Sequence, residues 1–347
     1  MVELGMAIIG TGVVAERHAA AMHELHGARL VAVYDSNSER ARAFAAEHGV
    51  RVAANLDELL GSGDVDVITI ATPSGAHADV VIPVARAGKH VICEKPLETT
   101  LERVDLIIGA CKEAGVVLSS VFQARFGDSV RIIREAINRG RFGTMVLADA
   151  QVKWFRSQEY YSGSAWRGTW ALDGGGALMN QSIHIVDLLL HLAGPIEQVA
   201  AFAETLTHPG VEVEDTLVAS LRFASGALGT IAVSTSCAPG FPRKLELSGE
   251  HGSVTLEDDR IVRWAFATEE DDDETIRLGG TSGEGLAGGA SDPRAAGHEG
   301  HRRQFQDVVD AVREGHQPAI PGSEGRRAVE LVTAIYEAAR TGSIVRV

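Results

Sequence analysis

Glu94, Lys95 and Pro96 stand together in the sequence, a carboxylate beside an ammonium with a proline after them. An ammonium held near an oxygen stabilises negative charge that develops there, although the same pair also serves as an ordinary surface ion pair at a turn. A second group lies far away in sequence. Asn180, His184, Asp187 and His191 recur at steps of four, three and four, a spacing that predicts one polar stripe on a single helix. One histidine on an apolar helix is commonly a satisfied core residue. Four polar residues on one face, directly after Gly174-Gly175-Gly176, point instead to a site. Between the two groups, Tyr160, Tyr161, Trp166 and Trp170 concentrate rings in a chain that is only 5% aromatic. Such rings either present an apolar face to a sugar or form an ordinary core cluster. Arg167 among them offers a planar donor fork for a carboxylate, a phosphate or an amide.

Elements must hold these groups in place. Short apolar runs at residues 6–9, 30–34, 67–71, 90–93 and 116–121 alternate with alanine-rich helical stretches such as 40–48 and 78–87. That is the pattern of βαβ units on a parallel sheet. The first run ends in Gly10-Thr11-Gly12-Val13-Val14-Ala15. Gly10 permits the tight turn, Gly12 lets backbone approach a pyrophosphate, and Ala15 allows close helix–strand packing, with the helix N-terminus facing the anion. The motif is weak alone. The strand before it, the helix after it and Asp35 at the end of the second run give it context. A carboxylate there accepts hydrogen bonds from the ribose hydroxyls of NAD and repels a 2′-phosphate. Arg40 could reach such a phosphate, so NAD is expected and NADP stays open. Cofactor contacts are expected from Gly10, Thr11, Gly12, Val13, Val14, Asp35 and Arg40. Further contacts are expected from Ala71, Thr72, Pro73 and His77 after the third run, Glu94 and Lys95 after the fourth, and Gln123 after the fifth. His77 has a plainer reading as a cap on the next helix.

Beyond residue 123 the runs lengthen and alternate, at 145–153, 199–206, 215–223, 227–234, 244–248 and 253–257, with turns rather than helices between them. They predict a large, open, mostly antiparallel sheet. The fold class is therefore α/β plus α+β: an N-terminal Rossmann domain over 1–122, an α+β domain over 123–297, and C-terminal helices over 298–347 at the domain junction. The acidic run 269–274 and the glycine-rich stretch 279–291 predict a solvated, flexible loop. His298-Glu299-Gly300-His301 has metal-ligand residue types but the wrong spacing for a zinc helix, and no metal is expected; it opens the helix expected over 302–313.

With 32 Lys and Arg against 47 Asp and Glu, the 347-residue chain carries a net charge of −15, which argues against a nucleic-acid partner. Three scattered cysteines are too few for a disulfide framework. No apolar run approaches the roughly 18 residues of a membrane span, and no basic leader precedes the first strand. A cytoplasmic protein is expected.

Taken together, the Gly-x-Gly-x-x-Ala turn, the Thr72-Pro73 pair, Glu94-Lys95-Pro96 and the stretch from Gly174 to Asp187 resemble the glucose–fructose oxidoreductase/inositol dehydrogenase/rhizopine catabolism (Gfo/Idh/MocA) family along essentially the whole chain. Gln123-Ala124-Arg125-Phe126, Tyr160-Tyr161 and the run from Trp166 to Gly176 are similar to its branch of UDP-N-acetylglucosaminuronate 3-dehydrogenases and related sugar dehydrogenases. The resemblance implies an NAD(P)-dependent oxidation of a secondary sugar hydroxyl, or the reverse reduction. Lys95 would bind the reacting hydroxyl, His184 would take its proton, and Asp187 would stand behind the imidazole. The family carries an aspartate where this chain has Asn180, and an amide orients a hydroxyl but cannot act as a base, so His184 carries more of the role. Lys95, Tyr161, Arg167, Asn180 and His184 are expected at the substrate, and Trp166 and Arg167 at the cofactor. The second domain would bind substrate and pair with itself through its open sheet, giving a dimer or tetramer. The same residues also fit a cofactor-recycling glycosidase, and more distantly an NAD-binding regulator.

Overall fold

The computed structural model describes residues 3–279 and 297–347. Two units divide the chain: Met1–Gln123 with His298–Arg326, and Ala124–Gly297 with Arg327–Val347.

The first unit runs β1 (Leu4–Ile9), α1 (Val13–His23), β2 (Ala28–Tyr34), α2 (Ser38–His48), β3 (Arg51–Val52), α3 (Leu56–Leu60), β4 (Val67–Ile70), α4 (His77–Arg86), β5 (His90–Cys93), α5 (Leu101–Ala114) and β6 (Leu118–Ser120). Its six strands lie in the order β3-β2-β1-β4-β5-β6, all parallel. Met6, Ala7, Ile8, Val67, Ile68 and Ile92 are wholly buried, as strands covered on both faces require. Helix ends are written in the sequence: Asn37 caps α2 by accepting from the Glu39 and Arg40 amides, and Gly49 ends it in the left-handed conformation. A late helix, α10 in chain order (Glu299–Glu314), belongs to this unit, with Phe305, Val308 and Val309 in the same core as Met6 and Ile8. The strand order reverses between β1 and β4, the switch point at whose carboxyl ends dinucleotides bind in such sheets.

In the second unit come α6 (Asp128–Asn138), β7 (Met145–Lys153), α7 (Gln158–Ser162), α8 (Ile183–Ala193), β8 (Ile196–Glu204), β9 (Thr216–Phe223), β10 (Leu228–Ser234), β11 (Lys244–Gly249), β12 (Gly252–Glu257), β13 (Arg260–Phe266) and α9 (Asp273–Gly279). α11 (Gly322–Thr341) and β14 (Val345–Arg346) close the chain. The eight strands lie in the order β13-β12-β11-β7-β10-β9-β8-β14, antiparallel except for the β7–β10 pair. In β9, Leu217, Ala219, Leu221 and Phe223 point to the buried face and alternate with exposed residues, the pattern of a sheet covered on one side.

The acidic run departs from expectation. Residues 273–279 are helical, and Asp273 is buried, taking the Trp264 indole N–H at 2.6 Å and both terminal nitrogens of Arg141 at 2.6 and 2.8 Å. A carboxylate with three strong donors is anchored rather than solvated. The glycine-rich part of that stretch falls largely in 280–296, outside the described residues.

Candidate active site

The cofactor-type residues of the first unit gather at the carboxyl ends of β1, β2, β4, β5 and β6. Gly10 has φ +92°, and a Cβ there would sit 2.7 Å from the Ala71 carbonyl oxygen. Only glycine fits, because the backbone is left-handed and β4 lies against it. At Gly12 the reverse holds: an added Cβ would meet nothing within 4 Å, and no side chain caps the start of α1. Open space over uncapped amides at a helix N-terminus suits a pyrophosphate. Asp35 is buried and accepts from the Thr11 amide at 2.7 Å, the Thr11 hydroxyl at 2.9 Å and the Asn37 amide at 2.8 Å. Arg40 grips the same carboxylate through Nε at 3.0 Å and Nη2 at 2.7 Å. Burial would raise the Asp35 pKa, but the guanidinium and these donors hold it below its ordinary value. Thr72 Oγ1 and Gln123 Oε1 are buried without a hydrogen-bond partner among the described residues. Orphaned polar atoms of this kind, together with the open Gly12 cradle, fit a bound dinucleotide.

Glu94 and Lys95 follow β5, and Glu94 Oε2 accepts the Lys95 amide at 3.0 Å. Behind Glu94 stand two histidines: His18, which sequence reasoning left out, and His301, which it read as opening a helix from which it could approach the site. His18 of α1 meets Glu94 Oε1 through Nε2 at 2.9 Å, and His301 of α10 lies 3.9 Å from the same oxygen. All three are buried. Burial opposes the Glu94 charge, but His18 holds the carboxyl well below its usual range. Burial likewise drives His301 down to about 3, keeping that imidazole neutral. The trio has metal-ligand residue types, with ligand atoms within 4.8 Å of one another. At 2.9 Å, however, His18 and Glu94 are hydrogen-bonded, as a carboxylate needs when it is taken out of water. His77, expected beside the cofactor, is wholly buried. Its ring lies between the Thr72 carbonyl oxygen at 3.1 Å and that of Pro96 at 3.0 Å, so it links the two loops that carry Thr72 and Lys95.

In the second unit, the expected polar stripe is broken. α8 begins only at Ile183, and Asn180 sits in a separate π-helical turn, Ala177–Gln181. The cause is the triple glycine: Gly175 has φ +152°, and Gly176 packs so closely on Glu214 that a Cβ would come within 1.9 Å of its carbonyl oxygen. Asn180 donates its amide to Asp173 and accepts from Gln181, whose amide also donates to the Tyr160 hydroxyl at 2.9 Å. His184, half-buried, lies in the first turn of α8. One turn on, Asp187 is buried and takes a two-pronged bond from Arg125, at 2.8 and 2.6 Å.

The aromatic stretch divides. Tyr161, expected at the substrate, is a core residue: its ring is buried against His208 and its hydroxyl is bonded to Thr235 at 2.8 Å. Its neighbour Tyr160 stays half-buried between two guanidinium groups, Arg167 at 4.4 Å and Arg156 at 5.5 Å from the ring centre. Arg156, which the sequence did not single out, also reaches Gln181 at 3.1 Å. Arg167 is bonded to the Tyr160 carbonyl oxygen at 3.2 Å, while its Nε is buried without a partner among the described residues. Trp166 adds a ring 5.5 Å from the same guanidinium. A cleft lined by Cys111, Lys112 and His316 lies at the start of β5 and β6, the far ends of the strands from this chemistry.

A parallel sheet with a glycine-cradled helix N-terminus and a carboxylate closing the second strand defines a dinucleotide-binding oxidoreductase. Residues 4–122 match the oxidoreductase family model with an NAD-binding Rossmann fold, and residues 130–255 match the Gfo/Idh/MocA C-terminal domain. The chain belongs to the Gfo/Idh/MocA oxidoreductase family, and it is an NAD-binding oxidoreductase. It is 29% identical over 348 residues to 1,5-anhydro-D-fructose reductase of Ensifer adhaerens, covering 98% of this chain and 97% of that protein. It is 27% identical to myo-inositol 2-dehydrogenase of Thermotoga maritima, over 94% of this chain and 93% of that one. Among solved structures, the WlbA dehydrogenase of Bordetella pertussis in complex with NADH and UDP-GlcNAcA superposes with a TM-score of 0.89 at 36% identity, covering 100% of this chain and 98% of that one. Levoglucosan dehydrogenase in complex with NADH and L-sorbose gives 0.86 at 26%, covering 100% and 99%.

Proposed function

We propose that this protein oxidises a secondary hydroxyl of a sugar derivative with NAD, or reduces the corresponding keto-sugar, and that its substrate carries a carboxylate. The observation that carries the reading is the buried, hydrogen-bonded anchorage of Glu94, which sets the Lys95 backbone at the carboxyl end of β5 in a chain of this family. When bound, nicotinamide supplies the hydride acceptor. Lys95 donates to the reacting oxygen and stabilises its developing charge. His184 accepts the hydroxyl proton, a task that an imidazole can perform because its ring nitrogens both accept and donate protons. Asn180 orients the hydroxyl through an amide fixed by Asp173 and Gln181. Asp187 stands one turn behind His184 in α8 and is held in place by the bidentate bond from Arg125. Of the expected cofactor residues, Asp35 receives the ribose, Arg40 yields its place on that carboxylate, and His77 acts by joining the loops. NAD is preferred over NADP because Asp35 is buried and charged.

The carboxylate preference rests on Arg167, whose Nε lacks a partner within the described residues, and on the likeness to the structure crystallised with UDP-GlcNAcA. Self-association is proposed through the uncovered face of the second sheet, where Phe202 is 77% exposed and Val218 and Leu228 are each 49% exposed. The free thiols of Cys93, Cys111 and Cys237 suit a cytoplasmic setting.

The test is to mix the protein with NAD and a panel of inositols, free and anhydro sugars, glucosides, uronates and UDP-GlcNAcA, following NADH. NADH should appear with at least one sugar and most efficiently with a uronate. A flat trace with NAD bound would overturn the reading, and aglycone release without net NADH would replace it with a cofactor-recycling glycosidase.

A further inference from the structure

We propose that Glu214 and Tyr336 are positioning residues that together fix the π-helical turn Ala177–Gln181 and thereby set the amide of Asn180 for the substrate hydroxyl. The proposal rests on the site reading above and extends it to two residues remote in sequence. A helical turn begins with amides that have no partner inside the turn, and this one has no capping side chain of its own. Its amides are instead satisfied in succession from outside. Glu214 Oε2 accepts from the Gly176 amide at 2.9 Å, the Glu214 carbonyl oxygen accepts from Ala177 at 3.0 Å, and Glu214 Oε1 accepts from Leu178 at 2.7 Å. The Tyr336 hydroxyl accepts from the Met179 amide at 3.2 Å and donates to Glu214 Oε1 at 2.9 Å. Four consecutive N–H groups thus converge on two side chains and one carbonyl group.

The approach is close. A Cβ at Gly175 would lie 2.1 Å from the Tyr336 hydroxyl oxygen, so the triple glycine exists to admit this clamp. Trp170 stands edge-on to Tyr336 at 5.2 Å and walls it in. Glu214 is only 4% exposed. A buried carboxylate is costly unless its oxygens are used, and here both are used on the turn. Turns held in an uncommon helical geometry recur at functional positions, and the last two residues of this one, Asn180 and Gln181, lead into the bonds to Asp173 and Tyr160 already described.

Glu214→Gln keeps the shape but offers one acceptor and an NH2 group, which would face either the Gly176 or the Leu178 amide. Tyr336→Phe removes one oxygen and is the milder variant should the first fail to fold. Loss of such a buried hydrogen bond corresponds to about tenfold in rate if it is needed for catalytic geometry. In both variants kcat should fall by about that factor or more, while KM for NAD stays within about twofold, since neither Glu214 nor Tyr336 is among the residues expected at the cofactor. Peptide-level hydrogen exchange over residues 176–179 should quicken in parallel. Faster exchange with kcat unchanged would overturn the positioning role, and unchanged exchange would overturn the clamp itself. A wild-type protein that oxidises no sugar, with exchange still responding to the variants, would overturn the site reading instead.

Discussion

Asp35 carries two jobs that pull against each other. Its oxygens already accept from Thr11, Asn37 and Arg40, yet the ribose of NAD would need them as well. Arg40, with its side chain 53% exposed, is the partner free to move, because its guanidinium pays little to return to water. Asp35→Ala should therefore weaken NAD binding by about 10- to 100-fold, the loss expected for hydrogen bonds to a charged acceptor, while NADP binding changes little or improves. Titration calorimetry with both cofactors checks this. Arg167→Gln should raise KM for a uronate by about tenfold and leave a neutral sugar unaffected in steady-state kinetics. Single residues were legible where local spacing carries the signal. Gly10, Gly12, Asp35 and the Glu-Lys-Pro triplet stand at strand ends that hydrophobic runs reveal. Tyr161 and Tyr160 could not be told apart by type: adjacent residues on a helix point about 100° apart, and only the fold decides which ring enters the core. His18 carried no signal of its role, and His301 was read as able to approach the site but not as a neighbour of Glu94, because α10 joins the first unit from the far end of the chain.

Elements with one buried period were read directly. β1, β2, β4 and β5 are continuous apolar runs, and β7 to β12 alternate. β3 and β14 have two residues each and too little pattern to recognise. β13 was missed because it follows the charged turn at Asp258, which has a positive φ of 49°, and its Arg260 and Arg263 disguise the alternation. The triple glycine before the π-helical turn is visible in the sequence, but the turn's partner is not, since its amides are met by Glu214, more than thirty residues away. That carboxyl makes a prediction about pH. Burial raises its pKa from 4.5 to about 7, against the lowering pull of the Leu178 and Gly176 amides and the Tyr336 hydroxyl. Between those two values the unfolded chain is ionised and the folded chain is not. This one group therefore costs wild-type stability as pH rises from 4.5 to about 7 and adds no further change above. Glu214→Gln lacks that titration. In urea melts its stability relative to wild type should climb across that window and then level off; a constant difference would contradict the assignment. Gly10→Ala should cost about 1–3 kcal/mol, read in the same melts, because it combines a left-handed backbone with a clash on Ala71.

At the scale of the whole molecule, the net charge of −15 sets a field that repels anions at a distance. An acidic substrate then needs a local cation, the role proposed above for Arg167. No helix among the described residues is long and apolar enough to cross a membrane. The uncovered sheet face is the remaining large-scale feature. Val218 lies between Phe202 of β8 and Ala232 of β10 in register, so the exposed apolar groups form a row rather than scattered points. Phe202→Glu with Val218→Lys should shift the protein toward monomer in sedimentation velocity without loss of fold. A wild-type monomer would contradict the proposed pairing. The proposed sharing of the proton by Lys95 and His184, while hydride leaves the sugar, is read in single-turnover NADH formation with NAD already bound, in wild type, Lys95→Met and His184→Ala. Each variant should bind NAD nearly normally and form NADH about 10²- to 10⁴-fold more slowly. A full-rate burst from the His184→Ala protein would contradict that sharing.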